Sequence, residues 1–160
     1  MSELKYGPVK GEENAVKIPF NIATGETFRA KSGRFVTLNS GYLEVADAGD
    51  ALLAGWLEIG NGVTVAGQQG SLILAENCNT VFRVPILGST DLTEAMLLKT
   101  CDLVRETVDG VTLVQGVDLG ASGEAVVKIV GRDNSVAVGS SEWVDVIFVP
   151  AKVTAGTGVD

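Results

Sequence analysis

The sequence predicts an all-β fold, a single barrel or sandwich of short antiparallel strands, and three observations carry that expectation. The last third reads AVVKIV, GRDNS, VAVGSSE and WVDVIFV, the densest block of β-formers in the chain. Within it Trp143, Asp145 and Ile147 alternate with Val144, Val146 and Phe148, the two-residue period of a strand whose faces meet different surroundings. With the runs upstream, roughly ten short strands recur at 8–14-residue spacing, separated by Gly, Asn, Asp and Ser turn chemistry. Twenty Gly and four Pro among 160 residues call for many turns without low complexity.

Taken in order, residues 1–24 read as an extended N-terminal arm. Gly7-Pro8, Gly11 and Pro19 interrupt any helix, and Ile18, Phe20 and Ile22 alternate, so the arm is expected to pair with a sheet edge of its own or a neighbouring subunit. Tyr6, Lys10, Lys17, Ile18, Phe20 and Arg29 are its expected contact residues. The β domain is placed at 25–153. Phe35 to Leu38 is a strand, Asn39-Ser40-Gly41 a turn, Tyr42 to Val45 a strand and Ala46 to Asp50 a turn. Leu52 to Ile59 follows as a strand interrupted by Gly55. Asn61-Gly62 signals a hairpin joining WLEIG to VTVAG. Ser71–Ala75 and Val81–Ile86 come next, with Pro85 expected at an edge or strand end because it has no N–H to donate.

Ser89 to Glu106 is ambiguous between helix and strand. The reading is a short helical turn near 90–95, then a strand from about Leu97 to Arg105, joined through Asp109-Gly110 to Thr112-Leu113-Val114. Gly116 to Glu124 is a loop, Val126 to Val130 and Trp143 to Val149 are the closing strands, and 154–160 is a loose tail.

The bulk chemistry excludes several function classes. The formal charge is −8 and the pI about 4.5, which argues against nucleic acid as a partner. Residues 1–34 hold six Lys/Arg against four Glu, a net of +2, and the remainder holds six against sixteen, a net of −10. A basic start on an acidic body suits an arm lying across an acidic surface; solvation explains it equally well. No run approaches a membrane span, and the N-terminus has no signal-peptide apolar region. Cys78 and Cys101 are then expected as free, buried thiols.

Without histidine the usual general base, metal ligand and Ser-His-Asp arrangement are missing. Asp47, Asp50, Asp91, Asp109 and Asp118 sit in turn contexts, and no DxDxDG calcium loop occurs. No catalytic, cofactor-binding or metal-ligating set is expected. Trp56 and Trp143 read as core or subunit-interface residues rather than a sugar platform.

The phrases GRFVTLNSGYLEVADAGDALLAGWLEI, LILAENCNTVFRVPI, LLKTCDLV, VVKIVGRD and WVDVIFVPAKV, spread over about residues 15–153, resemble a group of tailed-bacteriophage capsid decoration (cement) proteins. KTCDLV and WVDVIFVPAKV are the most specific of them. The resemblance implies a non-enzymatic virion protein made in bacterial cytoplasm. It would bind the major capsid protein on the outside of the head, commonly as a homotrimer, and stabilise the shell against internal DNA pressure. Two alternatives remain open: a phage tail, fibre or carbohydrate-binding β module, which would need exposed aromatics such as Trp56 or Tyr42, and an enzyme on a β-barrel, which would need converging carboxylates.

Overall fold

The computed structural model describes residues 6–28, 34–59, 62–108 and 112–154. Thirteen strands lie among them. The first half carries β1 Gly7–Lys10, β2 Lys17–Asn21, β3 Thr27–Phe28, β4 Arg34–Asn39, β5 Tyr42–Val45, β6 Gly55–Glu58 and β7 Gly62–Val63. The second carries β8 Gln69–Leu74, β9 Val81–Leu87, β10 Thr100–Val108, β11 Thr112–Asp118, β12 Val127–Arg132 and β13 Trp143–Phe148. Only short 3-10 turns interrupt them, so the all-β expectation holds. Among the described residues no helix is long and apolar enough to cross a membrane.

Two sheets pack on each other. The larger runs β1-β9-β11-β10-β12-β13, and β13 also pairs with β9, so five of its strands close into a ring with β1 added alongside. The smaller runs β2-β8-β6-β4-β5, with a bridge between Ile22 and Leu43 drawing its two edges together. Closure leaves few unpaired strand edges.

The alternation of β13 is realised in full: Val144, Val146 and Phe148 are buried, while Trp143, Asp145 and Ile147 are half-buried on the other face. Phe82 and Phe148 meet Phe35 of the smaller sheet at ring-centroid distances of 5.2 and 5.5 Å, and Trp56 lies 4.9 Å from Phe35. These rings centre the main core, joined by Leu103, Val117, Val127 and Ile129. The opposite face of the smaller sheet buries a second cluster around Val36, Leu43, Leu57 and Leu72.

Polar clasps join the sheets. Gln115 is 6% exposed; its Oε1 accepts from the Phe35 amide at 2.8 Å, and its Nε2 donates to the carbonyls of Phe35 and Ala46 at 3.0 and 2.9 Å. Asp47 accepts from the Arg105 amide through Oδ1 and pairs with the guanidinium Nε through Oδ2, both at 3.1 Å.

Several expectations change. Over residues 7–22 the arm takes the own-subunit alternative and becomes part of the domain: β1 pairs with β9, and β2 with β8. Ile18 and Phe20 pack against the second cluster, and Ile22 is 2% exposed. The physical reason is burial of an alternating apolar set on the nearest sheet, with Pro19 tolerated because β2 is an outer strand.

Pro85 lies inside β9, opposite Trp143. On the other flank of β9 the partner changes from β1, which reaches Arg83, to β11, which begins at Ile86. The missing N–H falls in that gap.

β6 pairs with β4 and β8, not with β7, which pairs with β3. The expected Asn61-Gly62 hairpin is therefore not a β6–β7 hairpin, and Asn61 itself lies outside the described residues. β11 runs on to Asp118, beyond the loop start expected at Gly116. In the ambiguous segment a 3-10 turn at Glu94–Met96 precedes β10. Asp109-Gly110 and residues 155–160 of the expected tail lie outside the described residues.

Candidate interaction surface

Of the six residues expected to make contacts, the five among the described residues do not form one site. Lys10 is exposed at the end of β1 on the larger sheet, whereas Lys17, Ile18 and Phe20 belong to β2 of the smaller one. Lys17 Nζ is 3.0 Å from Glu12 Oε1, a solvated pair that contributes little. Ile18 and Phe20 spend much of their surface on the second core, and Tyr6 is half-buried. Arg29 lies outside the described residues. An open groove of about 480 Å³ runs over β2, β8 and the end of β6, lined among others by Lys17, Pro19, Glu58, Ile59 and Gln69.

Among the described residues no group of three or more His, Cys, Asp or Glu side chains could hold a metal ion. Asp102, 7% exposed, instead accepts the amides of Glu124 and Ala125 at 2.9 and 2.7 Å, tethering the loop before β12. Both cysteines are free. Burial, with Asp102 and Asp118 nearby, pushes the Cys101 thiol up to about 12, so it is no nucleophile at neutral pH. Cys78 is half-buried.

Glu26 ties the β3 region to β5, its Oε2 accepting the Val45 amide at 2.8 Å. Burial raises its carboxyl pKa above the ordinary 4.5, against the opposing pull of that hydrogen bond and of Arg105. A carboxyl raised in the folded state contributes stability that is present below its unfolded pKa and lost as pH rises through the folded value. At neutral pH the ionised Glu26 therefore supports the fold less than its protonated form does at low pH. Glu26→Gln keeps an acceptor for Val45. It is expected to melt at or above the wild-type temperature at pH 7, the difference shrinking as pH falls below the ordinary value; a lower melting temperature at pH 7 would contradict this.

The outward side of β9, β13 and β12 offers a different surface. Arg83 stacks over the Trp143 ring at 3.6 Å and is held by Asp145 at 2.9 and 3.2 Å. That pairing fixes a flat guanidinium-on-indole ledge. Beside it Ile147 lies opposite Lys128, and Val130 is 36% exposed. At the near end of β10 the Leu98 amide donates to the Ile129 carbonyl, and the Ile129 amide to the Lys99 carbonyl, with Leu98 at φ +65°. This is the pattern of a β-bulge whose left-handed position ordinarily takes glycine. Leu98 is nonetheless 65% exposed.

The alternation in the sequence put Trp143 on the face opposite Val144, Val146 and Phe148 but gave no sign of its partner Arg83. It gave no sign that Leu98 sits in a glycine position. Trp56, the other tryptophan considered, is 2% exposed in the main core, and Tyr42 is 50% exposed at the β4–β5 turn.

Comparison with family models, with curated proteins and with solved structures finds no match.

Proposed function

We propose that this chain is a non-enzymatic decoration protein of a tailed-phage head, bound to the outer surface of the major capsid protein and bracing the shell. The observation that carries the reading joins sequence and fold. The phrases most specific to the resemblance, KTCDLV and WVDVIFVPAKV, together with VVKIVGRD, supply β10, β13 and β12. β12 pairs with both of the others, so the three phrases form one continuous wall of the larger sheet. Burial of Trp56 also removes one of the two aromatics that the glycan-binding alternative would use.

A nearly edge-closed β domain suits this role. It presents fixed surfaces, and weak contacts repeated over a symmetric lattice sum to strong attachment. Homotrimer formation is part of the proposal.

The test is mass determination by light scattering on the purified chain, followed by cosedimentation with undecorated heads. A trimer that pellets at saturating, stoichiometric occupancy is expected. A monomer that stays in the supernatant would overturn the reading. Deleting residues 1–20 is not a clean probe of attachment, because it removes β1 and β2 from the two sheets.

A further inference from the structure

We infer that the outward wall of β9, β13 and β12, with Leu98 at its rim, is the surface through which this chain docks on an apolar, carboxylate-bearing face of a different protein. On the decoration reading, on which this inference rests, that protein is the capsid shell.

Three independent observations converge on the wall. The first is Leu98. A left-handed φ strains a bulky residue, and relief was available through glycine, which this chain uses at twenty other positions. The leucine packs little within its own domain at 65% exposure, so folding gives no reason to keep it there. Strain retained without an internal contact points to an external one.

The second is the ledge. Trp143 and Arg83 are the residue types that dominate interface energetics, and here Asp145 holds Arg83 while Arg83 stacks on Trp143, so less side-chain freedom remains to be lost on docking. Ile147 follows Asp145 on the same face of β13, and the 36%-exposed Val130 follows Ile129, whose carbonyl accepts the Leu98 amide.

The third is charge. Asp145 is committed to Arg83, whereas Lys128, and Lys99 next to Leu98, form no ion pair among the described residues. At the ledge end Asp133 also lies near Arg83, while the Leu98 end of the wall is therefore cationic on a chain of net charge −8. That selects an occupant with carboxylates around apolar contacts. A two-fold pairing of the wall with itself would bring together two surfaces that carry the same unpaired Lys128 and Lys99, with Asp145 already held by Arg83, which makes a different protein the fitting occupant.

Leu98→Gly and Lys128→Glu in the full-length chain separate docking from folding. Leu98→Gly is expected to melt at or above the wild-type temperature while binding undecorated heads about tenfold more weakly. Lys128→Glu is expected to leave the melting temperature unchanged, weaken binding by a similar factor and flatten its salt dependence. On heads, Trp143 of the bound wild-type chain is expected to be protected from hydroxyl-radical oxidation.

Wild-type pelleting with both variants pelleting equally, or Trp143 remaining as reactive as in the free chain, would overturn the docking wall while leaving the decoration reading intact. Failure of the wild type itself to pellet would overturn both. A wild-type oligomer that either variant dissociates, seen by light scattering, would replace the foreign partner with a second copy and overturn the inference as stated.

Discussion

Replacing Gly55 by alanine is expected to destabilise the domain by about 3–5 kcal/mol, much of the ~5–15 kcal/mol that holds a typical domain folded. Gly55 is inserted between two strands, opposite Val36 of β4 and Leu74 of β8. A methyl group there would run into the Ile73 carbonyl oxygen and lie 2.9 Å from Leu72 Cδ1. The obstacle on one side is backbone, which cannot rotate away as a flexible side-chain end can. Making room means separating β6 from β8 next to Trp56 and Ile73, so the damage spreads into the aromatic cluster. Gly49→Ala is the matched control, since nothing lies within 4 Å of its added carbon and it should stay within ~0.5 kcal/mol of wild type. Urea denaturation of both variants, followed by tryptophan fluorescence, measures the contrast. Equal midpoints would mean that β6 and β8 do not pair in this register.

The features legible in the sequence are those whose signal is local. Trp143 to Phe148 carries its burial pattern in its own alternation. Asn39-Ser40-Gly41 gives the β4–β5 turn because Ser40 and Gly41 both take positive φ, 50° and 87°, as the tightest hairpin turn requires. What stayed hidden depends on partners distant in sequence. β1 and β2 are too short to hold themselves, and only their pairing with β9 and β8 decides that they belong to the domain rather than to an arm. Pro85 looks like an edge marker until the exchange of β1 for β11 along β9 gives its missing N–H a gap. The ledge is hidden for the same reason: Arg83 and Asp145 are 62 positions apart and meet through the β9–β13 ladder. Leu98 is harder still, because LLKT reads as one more apolar run and the glycine-like φ arises only where β10 meets Ile129.

The second large effect is expected at Gln115, which nothing in its sequence neighbourhood distinguishes from a surface residue of a strand. Its buried amide acts as a substitute strand segment. It takes the Phe35 N–H, satisfies the Ala46 carbonyl, and so carries the hydrogen bonding of the smaller sheet across to β11. Leucine would fit the volume and add apolar contact, yet it would leave the Phe35 N–H and the Ala46 carbonyl without this partner at a site that excludes water. Each orphaned group costs about 1–3 kcal/mol, whereas the bond's net gain over water is nearer ~1 kcal/mol, so the loss outweighs the added apolar burial. Gln115→Leu is therefore expected to destabilise by about 2–4 kcal/mol. Phe35 sits at the centre of the aromatic cluster, so the loosening should be read first at its amide. Hydrogen exchange there should accelerate well beyond that of Val146, which lies deep in β13 and shares no bond with Gln115. Uniform acceleration at both amides would mean that the variant lowers only global stability. An unchanged midpoint with unchanged exchange would mean that the two sheets hold together by apolar packing alone, with the Gln115 clasp contributing nothing.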